Sequence, residues 1–178
     1  MSPTASALVV MGVSGCGKSE LGRSVAAHTG ARFIEADAFH PPSNIDKMRR
    51  GIPLGDADRA GWLGVLAEQL IAARAEGVPA VLACSALKRR YRDQLREAAP
   101  GLCFAFLQLS RDAAARRVAD RPGHYMPPSL VDSQFADLEP PLGEDGVIVL
   151  DALQPLDVLV PRTLTWLSNA DGGERCAG

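Results

Sequence analysis

The sequence predicts an α/β fold in which helices cover both faces of a parallel sheet, and three observations carry that prediction. Short apolar runs alternate with longer amphipathic ones along the 178 residues, the pattern of strands joined by crossover helices. The short runs are β-branched and apolar on both sides, as strands buried on two faces must be. The first of them opens directly into Gly12-Val13-Ser14-Gly15-Cys16-Gly17-Lys18-Ser19, a G-x-x-x-x-G-K-S loop at a strand-to-helix junction.

The first strand is ALVVM at 7–11, and the glycine loop leads into a helix over 18–28. RFIEA at 32–36 is the second strand. A helix over 59–76 follows, because Leu63, Leu66, Leu70 and Ala73 recur at helical spacing, Asp58 is placed to cap its start, and Gly77 with Pro79 ends it. The series continues with AVLAC at 80–84, a helix over 87–98, CFAFLQL at 103–109 and a helix over 111–120. GVIVL at 146–150 and a helix over 156–168 complete it. Two stretches rich in Pro, Gly and charge, 37–57 and 121–145, read as long loops, and 169–178 reads as a frayed tail. A chain of this length builds one core, so a single domain is assigned to 1–168.

Composition narrows the partners. A net charge of −2 with 22% charged residues gives no chain-wide attraction for nucleic acid. No apolar run approaches the roughly 20 residues of a membrane span, and the first residues lack the basic and apolar regions of a secretory signal. Cys16, Cys84, Cys103 and Cys176 form no CxxC pair and read as thiols in a reducing compartment. The expectation is a cytoplasmic protein with no membrane and no nucleic-acid partner.

The glycine loop has the parts of a nucleotide-phosphate cradle. Its glycines let successive backbone N–H groups turn toward phosphate oxygens, and the helix N-terminus adds partial positive charge. Lys18 reaches the β- and γ-phosphates and Ser19 ligates Mg²⁺. A binding loop alone does not distinguish enzyme, switch and motor. Asp58-Arg59-Ala60-Gly61 matches the D-x-x-G of a GTPase switch, but no N-K-x-D accompanies it. VIVLD ends at Asp151, too late in strand order for a motor's metal-holding acid, and Asp151 reads as a turn residue. FIEAD is more informative: Glu35 and Asp37, two apart, leave the second strand on one side, where an open parallel sheet collects its ligands. Asp37 is placed to accept a hydroxyl proton, and Glu35 to hold Mg²⁺ through water. The chemistry needs Asp37 to be a buried acid facing the cradle.

Three further blocks make the sequence recognisable. DAFHPPSNIDKMRRGIPLGDADRAGWL at 37–63, CSALKRRYRDQLR at 84–96 and RRVADRPGHYMPPSLVDSQFADLEPP at 116–141 resemble gluconokinases of the P-loop, shikimate-kinase-like type. The resemblance implies a P-loop kinase fold, three-layer α/β/α with the five-stranded parallel sheet in the order 2-3-1-4-5 and a mobile lid over about 121–141. It implies transfer of a phosphoryl group from ATP to the 6-hydroxyl of D-gluconate. Relatives are often dimers, so a homodimer is compatible with it. Where the family usually reads D-R-x-P-W-L this chain has Gly61, the loss of a helix-starting proline and of some local stability. Cys16 replaces a frequent serine in the loop, which leaves the cradle intact and adds an oxidisable thiol.

For an acidic sugar the remaining residues suit an acceptor site. His40, Arg50, Lys88 and Arg92 are the candidate contacts, Lys88 and Arg92 lying i, i+4 on one helix face. In shikimate-kinase-like enzymes the first arginine of a lid pair lies over the adenine and the second moves onto the phosphates. By that resemblance Arg117 contacts the base and Arg121 stabilises the transferring group. His124, Tyr125 and Met126 ride on the lid without a chemical role. The alternatives are a kinase of another hydroxy acid, such as shikimate, and a non-catalytic nucleotide-binding module.

Overall fold

The computed structural model describes residues 7–121, 127 and 129–171. Five strands, β1 (Ala7–Met11), β2 (Arg32–Glu35), β3 (Ala80–Ala83), β4 (Cys103–Gln108) and β5 (Val147–Asp151), form one sheet in the order β2-β3-β1-β4-β5. Every pairing is parallel, with Val9 opposite both Leu82 and Phe104. Around the sheet lie α1 (Lys18–Thr29), α2 (Pro42–Arg49), α3 (Asp56–Ala75), α4 (Arg89–Ala98), α5 (Arg111–Ala119), α6 (Ser129–Asp137) and α7 (Leu156–Asp171). The fold class and strand order are those expected.

Side-chain alternation along β1 divides the core in two. Leu8 and Val10 join Leu21 and Val25 of α1, Val118 of α5 and Leu159 of α7. Val9 and Met11 face the other way, onto Trp62, Leu63, Leu66 and Leu70 of α3 and Leu95 of α4. Among the described residues no helix is long and apolar enough to cross a membrane.

Four expectations need correction. The stretch 37–57 is not a plain loop, since it holds a 3-10 turn (Ala36–Phe39) and α2, and 121–145 likewise holds α6. Helix α3 begins three residues before the expected position: Gly55 occupies its cap, and Asp58, third in the helix, accepts the Gly55 N–H at 2.9 Å. The final helix runs on through Asp171, past the expected tail boundary. The tail's last residues, 172–178, lie outside the described ones, as do His124, Tyr125 and Met126.

The last correction concerns Gly61, sixth in α3 rather than at its start. Its cost is that of glycine inside a helix, not of a lost helix start. A Cβ at Gly61 meets nothing within 4 Å. Gly61→Ala is therefore expected to raise unfolding free energy by about 0.5–1 kcal/mol, read from the denaturant midpoint; no change, or a loss, would contradict the helix-interior argument.

Candidate active site

The glycine loop closes tightly because its first residue has no side chain. Gly12 has φ +148°, and a Cβ there would sit 2.7 Å from Cys16 Sγ and 2.8 Å from the Leu107 carbonyl oxygen. The Gly12 N–H donates to the Ser85 carbonyl across the sheet end at 3.3 Å. Val13 and Cys16 are buried, so the Cys16 thiol has little of the access that oxidation requires. Lys18 folds back over the loop, its Nζ donating to the Val13 carbonyl at 3.1 Å. Ser19, on the first turn of α1, donates its hydroxyl to Glu35 Oε2 at 2.5 Å, and Arg23 pairs with the same carboxylate at 3.6 Å.

Three cavities lie along the carboxyl ends of the strands. The largest, about 450 Å³, runs between the glycine loop and the segment after β5, bordered by Gly15, Gly17, Arg117, Leu153 and Pro155. Arg117 crosses one end, donating to the Gly15 carbonyl at 3.1 Å and to the Ala152 carbonyl at 3.1 Å. A narrow polar cleft follows, shaped by Gly15, Gly17, Lys18, Ser19, Asp37 and Arg121. The third cavity is bordered by Ser14, Lys18, Asp37, His40, Arg59 and Gln134. Gly15, Gly17 and Arg121 border both the first cavity and the cleft, while Ser14, Lys18 and Asp37 border both the cleft and the third. Neighbouring cavities in this row share these walls.

Asp37 stands where the cleft and the third cavity share a wall. It was expected as a buried acid, yet its side chain is 59% exposed. The reason is local: β2 ends at Glu35, and the 3-10 turn breaks the two-residue alternation and lifts Asp37 over the cleft. His40 is buried, stacked on Trp62 with ring centroids 4.2 Å apart and planes 12° apart. The Trp62 indole N–H is fixed by the Ala36 carbonyl at 2.7 Å. Burial holds the His40 ring below its ordinary value of 6.5 against the pull of Asp37, and Arg59 adds to the lowering. The Asn44 amide lies 3.3 Å from Nδ1, which leaves Nε2 as the protonated nitrogen of the neutral ring, facing Asp37 at 3.9 Å.

Three candidate acceptor contacts border none of these cavities. Arg50 is exposed and pairs with Asp46 at 3.4 Å. Lys88 caps α4 and donates to Asp56 at 3.0 Å, within an array that includes a short Tyr91–Asp56 hydrogen bond. Arg92 is fully buried. It donates to Glu144 at 2.5 and 3.0 Å and to the carbonyls of Ala86, Leu87 and Glu139 at 2.8 to 3.1 Å. All its donors face inward, so it holds the loop after β3 against the segment after α6.

Besides Lys18, the cation that borders the third cavity is Arg59, which the sequence pattern does not single out. Its Nη1 donates to Asp137 at 3.0 Å and to the Tyr91 hydroxyl at 3.4 Å. Burial opposes its charge, but Tyr91 and Asp137 outweigh that and raise its pKa, so it stays a cation. The available signal was its place on the apolar stripe of α3 with Trp62, Leu63, Leu66 and Leu70, where an arginine is unusual without a function.

A phosphate-binding loop, a neighbouring acid and an arginine entering the same cleft define a P-loop phosphotransferase. A family model described as an AAA domain matches residues 8–141. The chain is 45% identical to a gluconokinase of Gluconobacter oxydans over 92% of each chain. It is 41% identical to the thermoresistant gluconokinase of Escherichia coli, over 88% of this chain and 90% of that one. Among solved structures, a gluconokinase from Sinorhizobium meliloti superposes with a TM-score of 0.83 at 48% identity, over 93% of each chain. The chain belongs to the gluconokinase family and is an enzyme of that class.

Proposed function

We infer that the protein transfers the γ-phosphoryl group of ATP to the 6-hydroxyl of D-gluconate, giving 6-phosphogluconate and ADP. The observation that carries this reading is that Lys18 and Asp37 border both the phosphate cleft and the acceptor cavity. The base of ATP lies in the larger cavity against Arg117, and its phosphates lie in the cleft among the loop N–H groups. Lys18 exchanges the Val13 carbonyl for phosphate oxygen. Asp37 takes the proton of the attacking hydroxyl as the bond to the leaving ADP oxygen breaks. Arg121 and Lys18 balance charge on the group in transfer.

The oxygen donors present suit Mg²⁺, which prefers one or two protein oxygens with water and phosphate. Ser19 would bind it directly and Glu35 through water, and when bound it neutralises phosphate charge. On the acceptor side, His40 offers Nε2–H to a hydroxyl and Arg59 meets the carboxylate. Among the described residues, three free thiols, Cys16, Cys84 and Cys103, fit a cytoplasmic setting, and burial pushes the Cys84 thiol up to about 12, far from reactivity.

A coupled assay of ADP release tests the reading with D-gluconate, D-glucitol and no acceptor. Release should depend on gluconate, with a KM at least about 10-fold below that of glucitol, which has the hydroxyls but no carboxylate. Arg59→Met should close that gap. Absence of gluconate-dependent ADP removes the reading, and an unchanged gap in the variant removes Arg59 from the carboxylate site.

A further inference from the structure

Gln134, on α6, reaches back across 120 residues of chain to the glycine loop, where its Oε1 accepts the Ser14 N–H at 2.7 Å. The atom facing Ser14 must be the oxygen, because a backbone N–H only donates. The side chain is largely buried, on the wall shared with Asp37 and Arg59. Its helix is held on either side of it, by Arg59 on Asp137 at 3.0 Å and by Arg111 on Asp132 at 3.5 Å. Ser14 itself borders both the phosphate cleft and the acceptor cavity. Gln134 therefore stands beside the point of transfer.

A carbonyl oxygen aimed at the cradle suits a phosphate-free loop and opposes a terminal phosphate, whose oxygens are also acceptors. A half-turn of the amide about χ3, a soft two-fold torsion, presents NH₂ instead. Resting on the nucleotide site assigned above, we propose that Gln134 is a positioning residue that reads the terminal phosphate, accepting from Ser14 when the cleft lacks it and donating to it when a nucleoside triphosphate is bound. Glutamine performs both tasks. Glutamate performs only the first, and methionine, of nearly the same length, performs neither.

Calorimetric titration of the full chain with ADP and with a nonhydrolysable ATP analogue, each with Mg²⁺ and without gluconate, tests this. Gln134→Glu should weaken the analogue by about 10-fold or more while changing ADP by less than about twofold. Gln134→Met should weaken the analogue by a smaller factor, again sparing ADP, and retained ADP affinity shows that each variant is folded. Equal loss for both nucleotides, or no loss for either, overturns the proposal and leaves the nucleotide site standing. Failure of the unaltered chain to bind either nucleotide overturns both.

Discussion

Asp37→Asn should lower turnover by about 10²-fold or more, the usual scale for removing a general base, while nucleotide affinity stays within about twofold. Asparagine keeps the size and one acceptor oxygen of the side chain but cannot take a proton. Asp37 borders the cleft without belonging to the N–H cradle, so phosphate binding survives. The 3-10 turn that carries it is pinned by the Trp62 indole on the Ala36 carbonyl, which the substitution does not touch. Turnover from the coupled assay and titration with the ATP analogue separate the two effects. Unaltered turnover would mean that the hydroxyl proton leaves by another route.

Arg92→Met is expected to act on stability and not on the reaction. The side chain is fully buried and Glu144 nearly so, their side chains being 0% and 7% exposed. Burial pushes the Glu144 carboxyl up, but hydrogen bonds from Arg92 and Arg96 together outweigh it and hold the acid below its ordinary value. Removing Arg92 leaves Arg96, 25% exposed, to balance that carboxylate, and takes a donor from three carbonyls. Breaking such a pair costs about 3–5 kcal/mol. Unfolding in denaturant should show that loss, while the gluconate KM of the folded variant stays within about twofold. Full stability with a raised KM would return Arg92 to the acceptor site.

The contrast between Arg92 and Arg59 shows where sequence reasoning succeeds. Strands and long helices were legible because alternation and the 3.6-residue period are local, as in Leu63, Leu66 and Leu70 of α3. The glycine loop was legible because its chemistry is written in consecutive residues. Arg92 reads from the sequence as an acceptor contact because its partner Glu144 lies 52 residues away, and no local pattern announces such a pair. Arg59 is hidden because it follows Asp58, which reads as the helix cap, and because its partner Asp137 lies 78 residues away. Helix α2 was missed although Pro42 stands at its first position, a start signal outweighed by the polar, proline-flanked run around it.

The strand order has an evolutionary corollary. On the proposed function, donor-side Arg117 and Arg121 belong to the β4 and β5 flank and acceptor-side Asp37, His40 and Arg59 to the β2 and β3 flank, with the loop after β1 between them and Gln134 of α6 crossing to the acceptor cavity. Drift on one flank reaches the other through α6, where Gln134 meets Ser14 and Asp137 holds Arg59. A lineage built on this plan that recruits a new alcohol must therefore rewrite α6 together with the β2 and β3 flank.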